Sequence, residues 1–158
     1  MIHNNKEKKM VTLVGTQDNF AKALKELVEL DYAAVDAYQA AIDRLDSPEH
    51  QDKLKEFKQD HEDHIKEVSK LLKKHNEDVP TQCPMGKELL ATGKVVMANL
   101  IGENTILQAM KSNEEDTNTA YERMNAHKDK WPEAEEILKK GLQDEKRHKA
   151  WLEAILAD

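Results

Sequence analysis

Cysteine is nearly missing from this 158-residue chain, with Cys83 standing alone. One thiol cannot form an internal disulfide or a thiolate metal cluster, so nothing argues for an oxidising compartment. Glycine (5) and proline (4) are scarce and aromatics make up only 4%. A sheet protein of this length needs more turn chemistry and more β-branched and aromatic side chains. No apolar run approaches the ~20 residues of a membrane span. The polar start, Met1 to Lys9, lacks the apolar stretch of a secretion signal. Positive charge is also in deficit, with 24 Lys and Arg against 31 Asp and Glu, net −7. The basic clusters Lys6 to Lys9 and Lys70 to Lys74 are short and contain or adjoin acids. Nucleic acid and membrane are therefore excluded as partners, and a cytoplasmic location is expected.

What remains is a surplus of helix formers, with 35% of residues charged as on solvated helix faces. Residues 1–15 read as a disordered lead, and 16–158 as one domain large enough for a true core. A first helix is predicted from Thr16 or Asp18 to Leu45. Asp46-Ser47-Pro48-Glu49 then stops and restarts the chain, with Ser47 as cap and Pro48 in the first helical position. So tight a turn makes the second helix, running to about His75, antiparallel to the first. Loop chemistry follows from Asn76, and Lys87 to Leu100 carries a short helical pattern in Leu89, Leu90, Val95, Val96 and Leu100. A third long helix spans about Glu103 to His127, and a fourth restarts at Trp131-Pro132-Glu133 and runs to about Leu156. The reading is all-α: two helical hairpins joined by a long crossover that carries a short extra helix.

Each long helix has an apolar stripe when read in steps of three and four, and each stripe is broken by ionisable groups near its middle. The stripes read Leu24, Val28, Asp31, Val35, Tyr38; then Phe57, His61, His64, Val68; then Met110, Glu114, Thr117, Tyr121; then Leu138, Gly141, Glu145, His148, Leu152. Antiparallel packing brings helix midpoints to one height, so Asp31, His61, His64, Glu114, Glu145 and His148 should share one buried layer. So many buried ionisable groups would cost many kcal/mol without a neutralising partner, and a multivalent cation is the economical one. Oxygen and imidazole donors suit iron, manganese or zinc. The halves echo each other: Asp31 precedes His64 by 33 positions, and Glu114 precedes His148 by 34. Tyr38 and Tyr121 each follow their helix's carboxylate at one interval and are expected to hydrogen-bond the ligand layer. His3, His50, His75 and His127 fall off the layer.

The stretches Glu29-Leu-Asp-Tyr-Ala-Ala-Val-Asp-Ala-Tyr38, Asn113-Glu-Glu-Asp-Thr-Asn-Thr-Ala-Tyr121 and Leu142-Gln-Asp-Glu-Lys-Arg-His148 resemble the ferritin-like superfamily of ferritins, bacterioferritins and rubrerythrins. They are closer still to poorly characterised bacterial ferritin-like four-helix proteins, over nearly everything after residue 15. The resemblance implies a ferritin-like four-helix bundle with a dimetal site, two iron ions above all. By position, Asp31 and Glu114 are the single-helix carboxylate ligands, Glu145 the bridging carboxylate, and His148 and His64 the terminal imidazoles. The chain departs from the pattern at His61, where a second bridging Glu is expected, and at Asp31, shorter than the usual Glu. Two ions held by three carboxylates and three histidines, or a single ion, both fit these changes. The absence of a CxxC pair argues against full rubrerythrin function.

Two functions follow as expectations. One is a di-iron oxidoreductase of ferroxidase type, reacting with oxygen or peroxide. The other is a non-catalytic bundle, a stress or interaction protein with an empty or single structural metal site. The final helical pattern ends within two residues of Asp158, leaving no extra helix of the kind that lines ferritin cage axes, so a small homo-oligomer is expected.

Overall fold

The computed structural model describes residues 12–157. Four long helices and one short one account for the fold, with no strand among the described residues: α1 Phe20–Arg44, α2 Pro48–Lys74, α3 Lys94–Ala98, α4 Glu103–Asn125 and α5 Glu135–Leu156. The first helix starts later than Thr16 or Asp18 because Asn19 caps it, its side chain accepting the Lys22 N–H at 2.8 Å. Ser47 caps α2 as expected, with Pro48 just inside. The Glu103 carboxylate accepts the backbone N–H groups of Asp46 and Ser47 at 2.8 and 2.6 Å. The start of α4 is thereby tied to the α1–α2 turn. A single 3₁₀ turn, Pro132–Ala134, leads into α5.

The helices form two hairpins, α1 with α2 and α4 with α5, and α1 packs on α4 across the bundle. The crossover between hairpins differs from the expected pattern. Only Lys94–Ala98 is helical, and Val95 and Val96 point outward while Leu89 and Met97 are buried. Instead of a long amphipathic helix, side chains of α4 clasp the crossover backbone. Asn113 pairs with the N–H and C=O of Thr92 at 2.7 and 2.9 Å, and Asp116 accepts the N–H of Ala91 at 2.7 Å.

Residues 1–11 of the expected disordered lead lie outside the described residues. Its last four are ordered: Thr12 and Val14 are buried, the Thr12 N–H donates to Asp116, and Arg123 donates to the carbonyls of Thr12 and Val14.

The apolar core is divided in two. One cluster gathers Phe20, Leu24, Leu27, Val28, Val68, Leu72, Met124 and Leu138 toward one end. The other gathers Ala41, Ile42, Leu54, Phe57, Ile106, Leu107, Met110 and Leu152 toward the opposite end. The ionisable layer lies between them.

Gly141 belongs to this packing. A Cβ there would fall inside contact distance of Tyr121 Cε1 and 2.8 Å from its Cδ1, so the missing side chain makes room for the ring. On an exposed helix Gly→Ala gains about 1 kcal/mol. Here Gly141→Ala is expected to lose about 1–3 kcal/mol by overpacking. A thermal melt with a raised midpoint would show that Tyr121 moves aside freely.

Candidate metal centre

All six expected residues meet. Asp31 comes from α1, His61 and His64 from α2, Glu114 from α4, and Glu145 and His148 from α5. None is more than 6% exposed. Two overlapping groups form: Asp31, His61, His64 and Glu145 offer donor atoms within 4.8 Å of one another, and so do His61, Glu114, Glu145 and His148. His61 and Glu145 belong to both.

The contacts follow an approximate two-fold plan. Tyr38 on α1 donates its O–H to Glu114 on α4, and Tyr121 on α4 donates to Asp31 on α1 at 2.7 Å. His64 Nε2 on α2 lies 2.8 Å from Asp144 Oδ2 on α5, while His148 Nε2 on α5 lies 2.8 Å from Asp60 Oδ2 on α2. With Nε2 engaged outward, each of these imidazoles turns Nδ1 inward. His64 Nδ1 stands 3.6 Å from Asp31 and 3.5 Å from Glu145. His148 Nδ1 stands 3.4 Å from Glu114 and 3.7 Å from Glu145. The inward atoms have no hydrogen-bond partner: Nδ1 of His64 and His148, Nε2 of His61 and both carboxylate oxygens of Glu145. Buried polar atoms are ordinarily paired. Five orphaned donor atoms within these two groups are what cations would satisfy, so the residues fit metal.

The electrostatics agree. Burial pushes Asp31 up, but His61 and His64 outweigh it and hold the carboxyl below its ordinary value. Burial likewise opposes ionisation of Glu114, and His148 and His61 hold it well below. Glu145 goes the other way: burial and then the Glu114 charge raise it, despite His61 and His148. Burial disfavours charged imidazoles, yet the acids prevail. Asp144, Asp31 and Glu145 lift His64 to about 9, and Asp60, Glu114 and Glu145 lift His148 to about 10. His61 is raised well above its usual value against its burial, chiefly by Glu145 and Asp31. Without metal, protons on these rings balance the carboxylates.

From residue 15 to 158 the chain matches the family described as a domain of unknown function (DUF892). The chain belongs to that family. No curated protein and no solved structure matches it.

In this DUF892 chain, sequence reasoning passed over Asp60 and Asp144. The signal was present: an aspartate directly precedes each two-ligand motif, in Asp60-His61-x-x-His64 and Asp144-Glu145-x-x-His148. Arg147 spans the two aspartates, reaching Asp60 at 2.7 Å and Asp144 at 3.1 Å. Phe57 stacks on His148 with ring centroids 4.2 Å apart and fixes that ring further. Asn118 donates to the backbone carbonyls of Glu114 and Glu145 at 2.7 and 3.0 Å, joining α4 to α5 at layer height.

The layer approaches solvent along the sparser α2–α5 seam. A groove of about 420 Å³ there is lined by His64, Val68, Tyr121, Ile137 and Gly141. A larger cleft of about 630 Å³, between residues 12–17 and the crossover, includes none of the six.

Proposed function

We propose that this protein is a ferritin-like dimetal protein that holds two transition-metal ions, iron foremost, and acts as an oxidoreductase toward oxygen or peroxide. The orphaned, inward-facing donor atoms in two groups sharing Glu145 carry this reading. Asp31 and His64 would hold one ion, Glu114 and His148 the other, with Glu145 offering one oxygen to each. Iron bound there would supply one-electron redox chemistry. The chain's own part is positional. Tyr38 and Tyr121 steady the terminal carboxylates, Asp60 and Asp144 fix the imidazole tautomers, and the two apolar clusters keep bulk water from the layer. No described helix is long and apolar enough to cross a membrane, and we assign the protein to the cytoplasm as a small homo-oligomer.

The test is elemental analysis of the purified chain, then anaerobic Fe(II) loading and exposure to oxygen. Two ions per chain and Fe(II) oxidation faster than in protein-free buffer are expected. A chain that takes up no metal and stays inert sinks the reading. One observation favours the second function, a non-catalytic bundle with one structural ion: His61 stands where a second bridging carboxylate is expected. A stoichiometry of one ion with no redox change supports it.

Asp60→Asn and Asp144→Asn test the tautomer roles. Each is expected to weaken metal binding about 10–100-fold and to cost the metal-free protein about 1.5–3 kcal/mol, because the lost hydrogen bond is to a protonated ring. Unaltered affinity in both variants would show that the aspartates are bystanders.

A further inference from the structure

The two-fold plan pairs Asp31 with Glu114, Tyr38 with Tyr121, His64 with His148 and Asp60 with Asp144. It leaves His61 as the counterpart of Glu145. Glu145 reaches both groups because its oxygens part: Oε1 lies 3.5 Å from His64 and Oε2 lies 3.7 Å from His148. His61 parts its nitrogens the same way. Nδ1 lies 2.8 Å from Asp31 and 3.4 Å from Glu145 Oε1, while Nε2 points to the other side, 3.6 Å from Glu114. The ring is fully buried and Nε2 has no hydrogen-bond partner. Tyr38 lies against it, with ring centroids 5.4 Å apart.

We propose that His61 bridges the two ions through both ring nitrogens, standing in for a second carboxylate bridge. This rests on the two-ion reading above. Two metal–nitrogen bonds form as the ring's two N–H bonds break, and both protons leave to solvent. The lone pairs of an imidazole's two nitrogens diverge in the ring plane, whereas the syn lone pairs of a carboxylate's two oxygens run nearly parallel. The ions are therefore held farther apart than the ~3.5–4 Å of closely clamped metal pairs. Three imidazoles also shift the preference toward zinc, copper, iron or nickel and away from manganese.

X-ray absorption on the full chain loaded with Co(II) tests this directly. Two ions per chain, imidazole scattering and no metal–metal vector below about 4 Å are expected. His61→Glu should keep two ions and acquire the short vector. A short vector in the unmodified chain, or one ion only, overturns the bridge. So does wild-type Co(II) affinity and stoichiometry in His61→Ala. Two ions with a short vector would overturn the bridge alone, whereas a chain that binds no Co(II) overturns the two-ion reading with it. The measurement on the unmodified chain decides the matter even if a variant fails to fold.

Discussion

Lowering the pH from 8 to 6 is expected to weaken the binding of each ion at least about a hundredfold, because each must displace a proton held by the layer. In the metal-free protein His64 and His148 are lifted to about 9 and about 10, so both rings are protonated throughout this window. A ligating imidazole nitrogen has to be bare, and each proton displaced contributes about a factor of ten per pH unit. One proton per ion over two units gives the stated figure. His61, raised well above its usual value, steepens the dependence further. Asp31 and Glu114, held below their ordinary values, stay ionised and add nothing to the slope. Competition against a chromophoric chelator at pH 6, 7 and 8 measures it. A flat profile would show that the imidazoles do not bind the ion.

The same shifts set the stability of the metal-free chain. A histidine whose pKa rises on folding adds stability that is fully present below its unfolded value, about 6.5. That stability disappears as pH climbs through the folded value. Metal-free protein should therefore lose several kcal/mol between about pH 7 and pH 10, while metal-loaded protein, whose rings carry no such protons, should not. Thermal melts with and without chelator show whether the two profiles diverge.

Replacing Glu145 with glutamine should move the loaded and metal-free proteins in opposite directions. The Glu145 pKa is raised by burial and by the Glu114 charge, so its ionised form costs stability at neutral pH. Both of its oxygens lack a hydrogen bond. Glu145→Gln removes the charge while keeping the shape, and the metal-free bundle is expected to gain about 1–3 kcal/mol. The same residue belongs to both candidate groups, so on the two-ion proposal the variant should lose both ions at micromolar metal. With it goes the stabilisation that bound metal confers, about 3–4 kcal/mol at 100 to 1,000 times the dissociation constant. Melting midpoints with and without metal, compared between the two proteins, settle the signs. A variant that still melts higher in metal than without it would show that Glu145 is not shared.

The helices and the height of the layer were readable because both depend on local periodicity. Asp31, Glu114, Glu145 and the histidines interrupt stripes whose inward side the surrounding Leu, Val and Met already mark. The crossover was less readable. Its apolar residues have helical spacing, but Asn113 and Asp116, some 20 to 25 positions downstream, take its backbone hydrogen bonds, and no local pattern encodes that capture. Asn19 was overlooked as a cap because Thr16 and Asp18 beside it carry the same chemistry.

By itself, the sequence determined that the chain is all-helical, where its core stripes run and which six ionisable groups those stripes bury. Those properties depend on spacing within one helix. Only the tertiary structure decided who partners whom: that each tyrosine bonds the carboxylate on the opposite helix, that Asp60 and Asp144 cross between α2 and α5, and that His61 belongs to both candidate groups. Such pairings depend on the rotation of one helix against another, which side-chain packing at both ends of the bundle sets and which no single helix records.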